Sequence, residues 1–222
     1  EGMRCYALFT YAPGRFIYPL DREQHHILGQ KVAEIHLASN DFECAHQRFR
    51  TDLHFLLDDP LTRIATFLGD RKPDDMIFLV ALVQELKKRI LDLSISGDGF
   101  GLIGGDFHGG NNHFDTDNKP TFFDFNLCGY GWRAYDLAVL LRNARFNGSP
   151  PELGQAFLEG YQTVRPLTQS EQAAIPLFVM ARTIMRIGVN ASESTFKGDI
   201  KTLYFYWDTM IKGLREWKER DL

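Results

Sequence analysis

The chain has 222 residues, 44% of them hydrophobic, and a formal net charge of −4. That is enough apolar material for one good core, and the mixed, slightly acidic charge argues against a nucleic-acid binder with its basic stripe. Cys5, Cys44 and Cys128 are odd in number and widely spaced, with no C-x-x-C, so neither a disulfide framework nor a structural zinc site is expected and a reducing cytoplasm fits best. No signal peptide, membrane-length apolar run or internal repeat is read from the sequence.

In chain order, residues 4–10 read as a strand and residues 11–14 as a turn. Asp21, with Gln24 three positions on, predicts a capping box opening a helix over 22–39, with Leu28, Val32 and Ile35 on one face. His25, His26 and His36 lie on that helix and are read as exposed or hydrogen-bonded side chains rather than metal ligands. Residues 53–57 and 61–68 read as two short helices separated near Pro60. The spacing of Leu79, Val83, Leu86, Ile90 and Leu93 predicts an amphipathic helix over 74–93. Lys87, Lys88 and Arg89 near its end read as a solvated face that complements the helix dipole. Glycines between 97 and 101 break the helix.

The stretch 104–136 carries the chemistry. Asp106 and Asn111 lie on a short glycine-containing loop. An apolar run to Phe114, a polar turn over 115–119 and a strand over 120–125 then predict a hairpin that brings Asn111 roughly opposite Asp124. One carboxylate and one amide oxygen suffice as protein ligands for magnesium, which keeps waters and phosphate oxygens in its shell. Asp106 is left to orient an attacking hydroxyl and accept its proton. The glycines of GYGWRA, from Gly129, read as a tight turn after the metal-binding strand. Helices follow over 134–145, 151–164, 170–189 and 199–220. Tyr204, Phe205, Tyr206 and Trp207 at helical spacing read as core before they read as a cage for an ammonium group.

The order GDFHGGN, then TFFDFNLCGYGWRAYDLA, resembles the aminoglycoside phosphotransferase and choline kinase-like family of small-molecule kinases. In that family a His-Gly-Asp-x-His-x-x-Asn loop precedes an Ile-Asp-Phe segment and a Tyr-Asp-Leu-Ala helix start. The resemblance implies a mainly α chain with a small β-hairpin, the C-terminal lobe of a protein-kinase-like α+β fold. Residues 1–12 would be the last strand of the N-terminal lobe and the hinge, and residues 13–222 the helical lobe. It also implies transfer of the γ-phosphoryl group of ATP or GTP to the hydroxyl of a small molecule, with Mg²⁺ on Asn111 and Asp124 and with Asp106 as base. The Thr10 carbonyl and the Ala12 amide would bond the adenine edge, with Phe9 lining the pocket, while His108 and Asp136 support the loop.

The resemblance covers nearly all of the chain but about two thirds of a whole family member. No Gly-rich phosphate loop precedes residue 4, so a further lobe, or a dimer partner, is expected to cover the exposed face. One departure stands out: the first histidine of the family's loop is Gly104 here, which removes an expected brace. That departure keeps open a catalytically inactive, kinase-like binding module. GDFHGGNNH keeps open a dimetal phosphoesterase, although the further Asp, Asn and His blocks such an enzyme needs are not evident. The fold does not select the acceptor.

Overall fold

The computed structural model describes residues 8–95, 97–197 and 200–222, with the backbone alone over 193–197 and 200–205. Its elements are α1 (Arg22–Ala38), β1 (Arg50–Thr51), α2 (Asp59–Leu68), α3 (Pro73–Asp92), β2 (Phe100–Ile103), β3 (Asn112–Phe114), β4 (Pro120–Phe122), β5 (Gly129–Trp132), α4 (Arg133–Phe146), α5 (Pro151–Val164), α6 (Gln169–Lys197) and α7 (Ile200–Asp221). The protein is therefore mainly helical, as the sequence predicts, and carries two small sheets.

The capping box at α1 is complete. Asp21 Oδ1 accepts the Gln24 amide at 2.8 Å, and Gln24 Oε1 accepts the Asp21 amide at 3.1 Å, so two of the donors orphaned at a helix start are satisfied reciprocally. The helix then lies against α5 at unusually close range. A Cβ on Gly29 would sit 2.0 Å from the Phe157 carbonyl oxygen, and one on Gly160 would sit 1.9 Å from that of His26. Only glycine at both positions lets the two backbones touch.

Residues 53–68 differ from expectation. Instead of two helices parted by Pro60, a π-helical turn over His54–Asp58 runs directly into α2, with Pro60 in the first turn of α2. Proline is favoured there because its missing N–H has no intrahelical partner to lose. Lys87 is also more than a solvated charge: its Nζ bonds both Asp58 carboxylate oxygens at 2.8 Å and ties α3 to that turn.

The hairpin pairs Asn112 with Phe122, His113 with Thr121 and Phe114 with Pro120, and the Asn111 carbonyl accepts the Phe123 amide at 3.1 Å. Asn111 thus faces Phe123, one residue short of Asp124. The second sheet, ordered β1-β5-β2, was not expected. Gly129 and Gly131 belong to its central strand, not to a turn. A Cβ on Gly129 would meet the Phe49 carbonyl oxygen at 2.3 Å and one on Gly131 the Ile103 side chain at 2.6 Å, so the glycines serve close approach between neighbours.

The N-terminal strand is a further correction. Residues 4–7 lie outside the described residues, and Leu8, Phe9 and Thr10 form no strand. A strand is held by a partner, and no strand pairs with them among the described residues. Past them, Arg15 and Phe114 exchange amide–carbonyl bonds of 3.0 Å in both directions, which fastens the entering segment to β3.

α6 is the central helix. Its stretch Gln169–Ser192 is long and apolar enough to cross a membrane, where the sequence was read as holding no such run, and 72% of the most apolar 18 residues in it are buried inside the fold. Ala174, Phe178, Ala181, Ile184 and Ile187 are fully covered by neighbouring helices, so the apolar length is used in the core. On α7, Trp207 is fully buried, with Nε1 donating to Asp75 Oδ2 at 2.9 Å, and so belongs to the core. The side chains of Tyr204 and Phe205 lie outside the described residues.

Candidate active site

The loop between β2 and β3 is held at its entrance by one buried carboxylate. Asp136, in the first turn of α4 and fully buried, accepts the Gly104 amide on Oδ2 at 2.9 Å and the Gly105 amide on Oδ1 at 2.7 Å. Gly105 has φ +76°, and a Cβ there would meet the Leu127 carbonyl oxygen at 2.3 Å, so the turn requires glycine.

A third partner reaches Asp136 from α1. His36 Nε2 lies 3.0 Å from Oδ2, and His36 Nδ1 lies 2.9 Å from the Tyr161 hydroxyl of α5. Complete burial pushes the His36 pKa below its ordinary 6.5, despite the neighbouring Asp136, so the ring is neutral at pH 7. A carboxylate can only accept, which assigns the single ring proton to Nε2 and leaves Nδ1 to accept the Tyr161 hydroxyl. Arg165 Nη1 in turn donates to the Tyr161 oxygen at 3.1 Å and Arg165 Nη2 to Glu171 Oε1 at 2.8 Å. The loop therefore rests on a continuous chain of satisfied bonds drawn from α1, α4, α5 and α6.

The absent side chain at Gly104 has a local cause. A Cβ there would lie 2.2 Å from the Phe107 ring, which is buried at the spot a residue 104 side chain would need. Phe107 takes the space, and Asp136 with His36 takes the bracing.

Beyond the entrance the loop folds on itself. The Asp106 carbonyl accepts the His108 amide at 2.8 Å and Asn111 Nδ2 at 3.0 Å, and the His108 carbonyl accepts the Asn111 amide at 2.9 Å. His108 Nδ1 accepts the Gly110 amide at 2.9 Å, which leaves Nε2 facing Asp106 Oδ2 at 3.9 Å. Burial lowers the His108 pKa, partly offset by Asp106. A neutral ring that accepts from the loop's own backbone is arranged to shape the loop.

The Asp106 carboxylate is held from α6. Arg182 Nη2 donates to Asp106 Oδ1, and Arg182 Nη1 donates to the Tyr135 hydroxyl at 3.1 Å. Burial works against the charge of Arg182, but Tyr135 and Asp106 outweigh it and raise its pKa. Sequence reading missed Arg182, His36 and Tyr135 as parts of the site. A signal was present for one of them: Arg182 and Arg186 interrupt an otherwise apolar run in VMARTIMRIGV, where unpaired charge is rare.

The Asn111 amide nitrogen is engaged by the Asp106 carbonyl, and among the described residues no hydrogen bond occupies the Asp124 carboxylate, so Asn111 Oδ1 and the Asp124 carboxylate are candidate oxygen donors for a cation. Asp124 adopts φ +60°, a left-handed conformation rare for a non-glycine residue and often found where function fixes the backbone. Among the described residues no group of three or more His, Cys, Asp or Glu forms a closed metal cage. Two oxygen donors at an open rim suit a metal completed by phosphate and water.

The segment expected to hold adenine lies beside the hairpin, with Phe9 84% exposed. The Ala12 carbonyl lies 3.2 Å from His113 Nδ1, and Tyr11 packs on the same ring, so this segment leans on the hairpin that carries Asn111. Thr10 is exposed beside it.

Comparison with known proteins places the chain among phosphotransferases. An uncharacterised protein of Deinococcus radiodurans is 34% identical over 226 residues, covering 99% of this chain and 64% of its own length. A homoserine kinase of Xanthobacter autotrophicus is 30% identical over 176 residues, covering 77% of this chain and 52% of its own length. The solved structure of amicoumacin kinase hAmiN, in complex with AMP-PNP, Ca²⁺ and Ami, superposes with a TM-score of 0.75 at 23% identity, covering 92% of this chain and 63% of that one. The chain thus spans between about half and two thirds of these proteins. The family model described as the phosphotransferase enzyme family matches residues 1–173, and with the protein-kinase-like fold and the braced Asp106 loop in place, the chain belongs to that family.

Proposed function

We propose that the protein is a small-molecule kinase that moves the γ-phosphoryl group of ATP, or of GTP, to a substrate hydroxyl. The observation that carries this reading is the Asp106 carboxylate, fixed by Arg182, on the same loop as Asn111 Oδ1 and beside the hairpin that ends at Asp124. Asp106 orients the acceptor hydroxyl and takes its proton, while Asn111 and Asp124 hold Mg²⁺. When bound, that ion neutralises charge on the transferring phosphates. The protein's own contribution is positioning: Asp136 and His36 keep the loop from moving, and Arg182 keeps the carboxylate aimed. The continuous bracing of the loop supports an active enzyme over an inactive binding module. A dimetal phosphoesterase is disfavoured by the lack of a third ligand group among the described residues.

Leu8, Phe9, Tyr11, Phe16 and Tyr18 stand exposed on one segment beside the hairpin. We propose that a further lobe of the intact protein covers them and supplies the rest of the nucleotide site, with Thr10 and Ala12 contributing main-chain bonds. Cys44 and Cys128 are free thiols, in keeping with a reducing cytoplasm.

The test is calorimetric titration of the intact protein with a non-hydrolysable ATP analogue, with and without Mg²⁺. Binding strengthened by Mg²⁺ and weakened at least tenfold in Asp124→Ala is the expected result. Mg-dependent binding that survives Asp124→Ala unchanged sinks the metal assignment, and no nucleotide binding at all sinks the kinase reading.

A further inference from the structure

Behind the Asp106 loop the charge balance is uneven. Arg182 is neutralised by Asp106, but Arg186, one helical turn further along α6, is half-exposed and has no carboxylate within ion-pairing distance among the described residues. It lies close enough to His108 to oppose protonation of that ring. Arg142 of α4 approaches from the other side and is 7% exposed. Its Nε donates to Thr183 Oγ1 at 3.3 Å, its Nη1 donates to Asn143 Oδ1 at 3.2 Å, and its Nη2 is buried with no partner among the described residues. Burial, with Arg182 and Arg186 adding to it, pulls the Arg142 pKa down to about 10.

Three guanidinium groups therefore lie near enough to act on one another, and among the described residues only Arg182 has a carboxylate partner. A buried donor without a partner is costly, more so when charged, so a cluster of this kind calls for an anion. Arg186 follows Arg182 by one helical turn along the same face of α6, and Arg182 holds Asp106, so an anion on Arg186 would lie beside the carboxylate to which the acceptor presents its hydroxyl.

We propose that the acceptor carries an acidic group, a carboxylate or a phosphate, next to the hydroxyl that is phosphorylated, and that Arg186 binds it with Arg142 supporting the charge from behind. The proposal rests on the kinase reading above and deepens it: the substrate class is a hydroxy acid or a hydroxyl-bearing phosphate ester. Polycations and quaternary ammonium alcohols are disfavoured by the same field. Arginine suits the task because its planar fork matches an oxyanion in two bonds at once.

The experiment uses matched hydroxyl compounds on the intact protein: D-glycerate against glycerol, D-gluconate against D-glucose, and choline as a cationic alcohol. Binding is read by calorimetry without nucleotide, and turnover by ADP release with Mg·ATP. The expected result is a preference of at least tenfold for the acid in each pair, lost in Arg186→Gln, with the KM for ATP moving less than twofold. A preference for choline or for the neutral members, no discrimination in either pair, or a loss that falls on ATP overturns the proposal. Acid-selective binding that depends on Arg186, in a protein that neither binds nor turns over ATP, supports the anion site while removing the kinase reading.

Discussion

His36 Nε2 sits 3.0 Å from Asp136 Oδ2 with both side chains fully buried, 100 residues apart in the chain. The same oxygen accepts the Gly104 amide, so one carboxylate couples helix α1 directly to the residue that opens the Asp106 loop.

Replacing His36 with Ala removes a bond to a buried carboxylate and leaves the Tyr161 hydroxyl without its acceptor. A destabilisation of about 2–4 kcal/mol is expected, measured by urea unfolding. His36→Gln, which can still donate to Asp136, should recover part of that. If turnover falls with His36→Ala and recovers with Gln while ATP binding stays constant, the residue acts by positioning the loop.

The same residue sets a pH dependence. Its folded pKa is depressed below 6.5, so the unfolded chain takes up the proton first. Stability from this group is complete above about pH 6.5 and is lost as pH falls through the window between 6.5 and the lower folded value. His108 shifts in the same direction and contributes to the same window. The fall in unfolding free energy between pH 7 and pH 5.5 should be shallower in His36→Gln than in the parent. An unchanged slope contradicts burial of a neutral ring.

Gly104→Ala tests why the loop lacks its histidine. With a Cβ placed 2.2 Å from the Phe107 ring, overpacking should cost about 1–3 kcal/mol. Gly104→Ala combined with Phe107→Leu should cost less than the sum of the two single changes, by at least about 0.5 kcal/mol in a thermal or urea cycle. Strict additivity means that Phe107 is not what excludes a side chain.

Arg182→Gln leaves Asp106 without its charged partner and the Tyr135 hydroxyl without a donor. Turnover of the intact protein is expected to fall by about a hundredfold, in keeping with a lost positioning contact, while nucleotide affinity changes little. An equal loss in ATP affinity places Arg182 on the nucleotide instead. Asp106→Asn should follow the same pattern with a larger fall in turnover.

Much of this protein is legible in its sequence because it is local. Helices α1, α3, α4 and α5 follow from apolar spacing and caps to within a residue or two, since a 3.6-residue period and a reciprocal Asp21–Gln24 cap are read over a few positions. The hairpin is likewise local: five polar residues between two apolar runs allow nearly one register, and that register brings Asn111 within one position of Asp124. The loop order Asp106, His108, Asn111, then Asp124 and Asp136, was legible through the family resemblance that these motifs carry.

Tertiary structure decided what spacing cannot carry. The strand at Gly129 became visible only with β1 and β2 on either side, because two glycines that allow a turn also allow close packing. Residues 8–10 read as a strand by composition, but a strand requires a pairing partner. The partners of Asp106 and Asp136 come from Arg182 and His36, 76 and 100 residues away, and depend on how α1 and α6 pack. Helix packing is set by shape complementarity over whole faces, such as the glycine contact of α1 with α5, and no local period encodes which buried charge another helix will meet.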